Sequence, residues 1–518
     1  MMEPPIIISS IMLQLPDLHI SDNTELVLSA AGCLAVVGII ARAYLYGSKS
    51  TLPLPPSPPT WKLRGHALPP PNPFLDVEKW IEEYGPLITI RRGTEKIVII
   101  GRHQAAIDIM EKQGASLADR PHTVAAGEMW SNGLVIGFVR AGDRLRRMRR
   151  ALHSHLQPKA AEAYQPLQMS YAKNTVLGLL KDPHGFQEHV KEFAATTITK
   201  IAFGRNAADD EIAGGHKFLE TLFAIARPGI YLVDSFPWLR YLPWYGKELR
   251  QQYESNRKLF TAQLHSVKQQ MESNVDPGPS FGRHLLENEQ LYGMAETEMA
   301  FLSGSFFAAG YDTTSTAICT VLMAAACFPE ELAKVQAEID AVIGGHRAPT
   351  FADEESLPRL RAFIVESMRW RPLAPMGFPH RTTKDVIWEN YCIPAGTTVF
   401  GSHWSIFRDP KVYPDPYAFK PQRWIDDEGH MKDTLTFFLY GFGRRACPGL
   451  HVANRSMFIN SALIFWAFNV ALDDTKPLND LGYVNAVMPL VEPCSLEFKK
   501  RIPEPEIRRM LQNYPEDS

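Results

Sequence analysis

Cysteine is scarce in this 518-residue chain: there are six, Cys33, Cys319, Cys327, Cys392, Cys447 and Cys494, and no two form a Cys-x-x-Cys pair. Spacing that sparse excludes a disulfide scaffold. A scattered cysteine usually serves as a small buried apolar residue, a reading that suffices for all but Cys447. Excess charge of one sign is also lacking. The formal net charge is −3, which excludes a nucleic-acid binder that works through bulk positive charge. No internal repeat and no long polar tract is visible, so despite 40 prolines the chain is not disordered. Basic residues are absent before Thr24, where Glu3, Asp17 and Asp22 stand instead; a secretory leader would need a basic start.

Leu26 to Tyr46 is apolar except for Arg42. At about 1.5 Å per residue it can cross a hydrocarbon core of about 30 Å. Lys49, Lys62 and Arg64 follow it, so the positive-inside bias puts the bulk of the chain in the cytoplasm. Pro53-Leu54-Pro55-Pro56-Ser57-Pro58-Pro59 comes next, a composition that favours a stiff extended spacer. The expected organisation is a lumenal segment 1–25, a transmembrane anchor 26–46, a proline-rich linker 47–72 and a catalytic domain 73–518.

Beyond the linker, Phe74 to Glu83 reads as a helix. Leu87 to Ile90 and Lys96 to Ile100 read as strands about a turn at Arg92-Gly93-Thr94, and Gln104 to Lys112 is again helical. Most of 140–345 reads as long helices, 377–400 as short strands, and a helix opens near Gly449. The expectation is one mainly α globule with a small β-sheet subdomain. Arg227 to Gly246 is unusual in carrying Phe236, Trp238, Tyr241, Leu242, Trp244 and Tyr245 with three prolines. It reads equally as a core-covering loop or as a patch at a membrane interface, where Trp and Tyr are favoured.

The segment with chemical content is Tyr440-Gly441-Phe442-Gly443-Arg444-Arg445-Ala446-Cys447-Pro448-Gly449. Its glycines allow tight turns and close approach to a flat ligand. A helix follows from Val452 to Phe468, so Cys447 stands near a helix N-terminus, where the dipole and the two arginines favour a thiolate. Thiolate as an axial iron ligand favours O–O cleavage. Two rival chemistries are weaker. Gly441-x-Gly443-x-x-Ala446 imitates a dinucleotide loop, but too little chain follows for the rest of that domain. Cys447 with His451 is half of a zinc site without a second pair.

The segment resembles the haem-binding loop of the cytochrome P450 family, Phe-x-x-Gly-x-Arg-x-Cys-x-Gly: Gly443, Arg445, Cys447 and Gly449 match, and Tyr440 stands where the family has Phe. Three further motifs follow the family's order: Ala309-Gly310-Tyr311-Asp312-Thr313-Thr314, Glu366-Ser367-Met368-Arg369, and Phe419-Lys420-Pro421-Gln422-Arg423-Trp424. The resemblance implies the cytochrome P450 fold, preceded by one transmembrane helix, and haem b (iron protoporphyrin IX) with Cys447 as the metal ligand. It implies Tyr440, Gly443 and Gly449 around the haem, and Arg149, His380 and Arg445 at its propionates; Leu145 replaces the usual Trp four residues before Arg149. It implies Asp312 and Thr313 as the catalytic pair that manages protons, and Glu366, Arg369 and Arg423 as a buried structural network. Substrate-lining segments would be Ala125 to Phe138, Phe306, Phe307 and Tyr311, Leu373 to Phe378, and Val487 to Pro489.

The activity implied is a haem-thiolate monooxygenase that oxidises a lipophilic small molecule with O2 and NADPH-derived electrons. Pro379-His380-Arg381-Thr382-Thr383 and Ser405 to Pro410 look most like fungal members, hence a secondary metabolite such as a terpenoid or polyketide. The implied partners are NADPH–cytochrome P450 reductase, with cytochrome b5 as an additional donor, and the endoplasmic reticulum membrane, with the catalytic domain cytoplasmic. Arg144, Arg146, Arg147 and Arg444 would present a positive face to an acidic reductase. Two alternatives keep the haem: a non-oxygenating isomerase or dehydratase, and a membrane haem sensor without turnover.

Overall fold

Proline at the first helical position and Phe74, Val77 and Ile81 on one buried stripe make Pro73–Tyr84 (α1) an amphipathic helix, closed by Gly85. Two apolar runs then pair as an antiparallel hairpin, Leu87–Arg92 (β1) with Glu95–Ile100 (β2), in the register Leu87 opposite Ile100. The expected helix over Gln104 to Lys112 is a short α-turn, His103–Ala106, that continues as a π-helical stretch, Ile107–Glu111. A second π-helical stretch, Val124–Trp130, is capped by the Thr123 side chain.

Long helices follow: Asp143–Leu156 (α2), Gln165–Lys181 (α3), Phe186–Phe203 (α4), Asp209–Ile225 (α5), Lys247–Glu272 (α6), Glu296–Cys327 (α7), Pro329–Ile343 (α8) and Pro358–Trp370 (α9). Helix α7 is apolar around nearly its whole circumference, and a helix of that kind belongs inside. It packs against α4, α5 and α6, and against Leu450–Ala467 (α10), the helix after the cysteine loop.

The short strands His380–Arg381 (β3), Val386–Trp388 (β4), Tyr391–Ile393 (β5) and Thr398–Gly401 (β6) come between α9 and that loop. One sheet has the order β1-β2-β6-β3, with β6 parallel to β2 and antiparallel to β3; β4 pairs with β5. The chain leaves α10 at Ala467, one residue before the expected end, because Phe468 opens Phe468–Leu472 (β7), paired with Leu496–Lys500 (β8). The architecture is mainly helical with small sheets.

This computed structural model describes residues 29–34, 36–38, 52–62, 65–68, 72–93, 95–226, 230–273, 278–432, 437–476, 478–482 and 494–515. The chain divides into two units, Met1–Thr51 and Leu52–Ser518. In the first, the described residues form a short, exposed apolar helix within Ser29–Gly38; the rest of the Leu26 to Tyr46 span lies outside the described residues. Among the described residues no single helix is long and apolar enough to cross a membrane.

The proline-rich stretch, expected as a free spacer, is laid along the second unit. Thr89 of β1 donates its backbone N–H to Pro56 O (2.7 Å) and its hydroxyl to Pro55 O (2.9 Å), and Cys392 of β5 donates to Pro53 O (2.9 Å). Proline has no N–H but keeps its carbonyl, so the run serves as an acceptor strip. The aromatic segment divides: Leu242 and Tyr245 pack on the core, whereas Leu232, Phe236, Trp238, Tyr241 and Trp244 are each more than half exposed.

Candidate active site

The cysteine loop is held at both ends. Cys447 donates its backbone N–H to Tyr440 O (2.8 Å), and the Tyr440 hydroxyl bonds Asn454 Oδ1 (2.5 Å), one turn into α10. Gly443 has φ +48° and donates to Glu111 Oε1 (2.7 Å); a Cβ there would lie 2.8 Å from Met110 O, so only glycine fits. The Cys447 side chain is accessible, yet it lies deep enough that burial pushes its thiol pKa up. Its sulfur therefore opens on interior space. The Gly449 N–H and the charge of Arg149 oppose that rise without overcoming it. Burial thus opposes the thiolate that the helix end and the neighbouring arginine favour. Arg445 is turned away, bonded to Ala118 O (2.7 Å) and Val139 O (2.6 Å), and Arg444 is exposed. The cation beside the sulfur is Arg149, which donates to Ala446 O (2.9 Å).

Beneath the loop, Glu366, Arg369 and Arg423 come together. Arg369 is fully buried and donates Nε and Nη2 to the Glu366 carboxylate, each at 2.8 Å. Arg423 Nε reaches the same carboxylate at 3.2 Å. Two donors not expected from sequence complete it, Lys420 N (2.7 Å) and Trp424 Nε1 (2.9 Å).

A cluster of cations is buried nearby. Burial, then the charges of Arg445 and Arg149, lower the Arg120 pKa to about 9. Burial, then Arg149, lowers Arg445 to about 10. Asp119 is the carboxylate felt by both, but it is already bonded by Arg140 Nη2 (3.0 Å) and Ala141 N (2.8 Å). His380 gives its Nδ1–H to Leu117 O (2.8 Å), and burial, followed by Arg120, drives its pKa to about 3. Beside those cations the imidazole is held neutral.

On α7 the side chains sort by face. Phe306, Ala309, Gly310, Thr313 and Thr316 keep exposure on one helical stripe beside open space, with Thr314 at its edge, while most of the other residues in this stretch are buried. Thr313 donates its hydroxyl to Ala309 O (2.7 Å). Asp312 lies about 100° around the helix and turns instead toward α5. Phe307 and Tyr311, expected to line the substrate space, do not. Phe307 is fully buried between Phe203 and Gly215, and Tyr311 turns its ring edge to His216. Gly310, where a Cβ would come within 2.5 Å of Ile198, also lets α4 approach. Ala374 packs with Leu219 and Phe223 of α5, and Val487 to Pro489 lie outside the described residues.

The Cytochrome P450 family model matches residues 55–492. The chain belongs to the cytochrome P450 family. Cytochrome P450 monooxygenase 113 of Postia placenta is 42% identical over 491 residues, covering 92% of this chain and 98% of the relative. Cytochrome P450 monooxygenase 64 of the same fungus is 42% identical over 483 residues, covering 91% and 97%. A cytochrome P450 monooxygenase of Armillaria gallica is 31% identical over 520 residues, covering 94% and 99%.

The family's cofactor is haem, and the residues of this cytochrome P450 fit one. Arg120 and Arg445 share one carboxylate that is already committed elsewhere, half-buried Arg149 stands beside them with none of its own, and Arg120 Nε has no partner among the described residues. Burying cations without counter-charge is expensive; two propionates would relieve it. An accessible cysteine in a glycine loop provides the sulfur. Arg120 is the member of this P450 site that sequence reasoning missed. It stands in Ala118-Asp119-Arg120-Pro121 with no motif to mark it, 259 residues from Pro379, whose carbonyl it bonds. The supposed basic docking face is partly neutralised: Arg144 (2.8 Å) and Arg147 (3.6 Å) both reach Glu298, and Arg146 pairs with Asp143.

Proposed function

We propose that this cytochrome P450 is a membrane-associated monooxygenase that inserts one oxygen atom of O2 into a lipophilic small molecule, with electrons from NADPH through NADPH–cytochrome P450 reductase and cytochrome b5 as an additional donor. The observation that carries the reading is the accessible Cys447 sulfur in a loop flanked by buried, under-neutralised arginines. Haem, when bound, supplies reductive activation of dioxygen. Cys447 would be the metal ligand in this reading, and coordination would favour the thiolate that burial opposes. Arg120, Arg149 and Arg445 would bind the propionates by charge; His380, whose Nδ1–H is held by Leu117 O, would join them by taking a proton on Nε2. Tyr440, Gly443 and Gly449 shape the loop so that its backbone lies close to the flat ligand.

Thr313 stands on the open stripe of α7 with its proton on Ala309 O, leaving its lone pairs toward the cavity. Asp312, one residue away, brings protons from outside. Two are consumed for each O2 used, so a carboxylate and a hydroxyl in succession suit the task. Phe306, Ala309, Ala374 and the α5 residues Leu219 and Phe223 offer an apolar wall, which selects the attacked carbon by position. The substrate class in this reading is a secondary metabolite such as a terpenoid or polyketide, from the resemblance of Pro379 to Thr383 and Ser405 to Pro410 to fungal members.

Exposed Phe236, Trp238, Tyr241 and Trp244, together with the apolar run Leu26 to Tyr46, support attachment to the endoplasmic reticulum membrane with the catalytic unit cytoplasmic. The test is purified protein with reductase and NADPH: stoichiometric haem, the red-shifted carbon monoxide band of thiolate-ligated iron, and oxygenated product from a lipophilic metabolite panel. Protein without haem, or a Cys447→Ser variant that keeps the band, refutes the assignment.

A further inference from the structure

Asp312 makes its side-chain contact with a residue that no motif marks. His216, on α5, places Nδ1 2.9 Å from Asp312 Oδ2 and 3.2 Å from Oδ1. The exposures of the two side chains differ sharply: 55% for His216 and 8% for Asp312. The approach that makes the contact is built into the packing. Gly215 precedes His216, and a Cβ there would lie 2.5 Å from the Phe307 ring. Helix α5 therefore comes down onto α7 at this point, and the imidazole covers the carboxylate.

We infer that His216 is the solvent-side member of a proton entry to this cytochrome P450: it holds the Asp312 carboxylate and hands it protons taken from bulk water. This rests on the reading of Asp312 as the inward donor. Water protonates Nε2 at the exposed ring edge. The proton on Nδ1 passes to Asp312 Oδ2, leaving a neutral imidazole and a carboxylic acid, and Asp312 passes its proton inward. The exposed ring resets by exchanging its Nε2 proton with solvent and regaining one at Nδ1. His216 acts through Asp312 and is a positioning residue, not a catalytic one.

The charged surroundings suit that task. Asp312, by hydrogen bond and charge, raises the His216 pKa, and Glu220, one turn on along α5, adds to the rise. Lys191 of α4 opposes it but is itself paired with Glu188 (2.7 Å). Tyr311 of α7 turns its ring edge to the imidazole at 6.3 Å and, with its own pKa pushed up to about 12, stays protonated. The imidazolium is thus populated near neutral pH, and one carboxylate waits beside it.

The test uses the holoenzyme with reductase and NADPH and no organic substrate. Two electrons and two protons reduce O2 to hydrogen peroxide (O2 + NADPH + H+ → H2O2 + NADP+), and four of each give two waters (O2 + 2 NADPH + 2 H+ → 2 H2O + 2 NADP+). Peroxide released per NADPH oxidised reports how well protons arrive. His216→Gln keeps a hydrogen-bond donor for Asp312 but cannot carry a proton. It should lower the water-forming rate about tenfold, less than the roughly hundredfold low end for a direct general acid because solvent can still reach Asp312, raise the peroxide fraction, and leave haem content unchanged. Asp312→Asn should do the same, with the double variant no worse.

A second readout does not depend on turnover. In the diamagnetic carbon monoxide form, ring-labelled His216 should titrate above the ordinary histidine range and fall back toward it in Asp312→Asn. Wild-type partition in His216→Gln beside an impaired Asp312→Asn overturns the relay and leaves the role of Asp312 standing. Unchanged partition in Asp312→Asn itself overturns both. An ordinary His216 titration in both proteins overturns the contact.

Discussion

Replacing Glu366 by Gln changes one charge and almost no volume, so its cost measures the buried network directly. The carboxylate accepts five bonds, from Arg369 Nε and Nη2, Lys420 N, Arg423 Nε and Trp424 Nε1, all between 2.7 and 3.2 Å. An amide offers one acceptor oxygen and turns an NH2 toward donors on its other side. Arg369 keeps the carbonyls of Phe407 (3.0 Å), Pro416 (2.6 Å) and Ala418 (3.0 Å), but at 0% exposure it has lost its counter-charge. Breaking a buried pair in this way costs about 3–5 kcal/mol, a large part of a typical stability of about 5–15 kcal/mol. Arg423→Met removes one 3.2 Å bond to the carboxylate, with weaker bonds to the carbonyls of Pro414 (3.0 Å), Ala418 (3.3 Å) and Asp415 (3.4 Å), but leaves Arg369 paired with Glu366, and should cost less, about 1.5–3 kcal/mol. Urea unfolding of the holoenzyme, followed by far-UV circular dichroism and by the haem band, measures both. A Glu366→Gln protein within about 1 kcal/mol of wild type, or one less affected than Arg423→Met, refutes the reasoning.

Other consequences are sharp enough to check. His403 is buried and stacked on Phe407 (5.5 Å, 8°), and burial lowers its pKa to about 4. The unfolded chain binds that proton near pH 6.5, so stability is intact above this value and is lost as pH falls toward 4; His403→Phe should flatten the acid limb of unfolding by about 3 kcal/mol. Gly443→Ala should shed haem, because φ is +48° and the new Cβ would meet Met110 O, whereas Gly429→Ala, at φ +88° with open space, should pay only the backbone cost of about 1–2 kcal/mol. Arg120→Gln should speed haem transfer to apomyoglobin more than Arg444→Gln does, since Arg120 is buried in the cationic cluster and Arg444 is exposed. Equal transfer rates would remove Arg120 from the propionate site.

The parts legible in the sequence share a property: their chemistry is written at short spacing. Glu366 and Arg369 are one helical turn apart, and the cysteine loop carries its glycines and its ligand within ten residues, so both could be named before any coordinates. Periodicity likewise found α1, the β1–β2 hairpin and α10 to within a residue or two. It failed on α7. A helix apolar all round carries no stripe to say which side faces the cavity; the family resemblance alone put Phe307 and Tyr311 on the open side, and they turn to α4 and α5. Composition misled at Pro53 to Pro58, because an extended run that cannot donate can still accept from a strand beside it. At Phe236 to Tyr245 it left two readings open, and the side chains divide between core and solvent.

By itself the sequence determined the family and the order of the elements, and it marked the candidate sulfur, because these depend on neighbours along the chain. Only the tertiary structure decided that Arg120 joins Arg149 and Arg445, that His380 is held neutral beside them, that Arg149 rather than Arg444 or Arg445 stands by the thiol, and that His216 caps Asp312. Each of these is an encounter between residues far apart in the chain, 96 in the case of His216 and Asp312. Burial and charge act through space with an interaction that falls with distance and not with residue number. The protonation states at this site were therefore settled by packing.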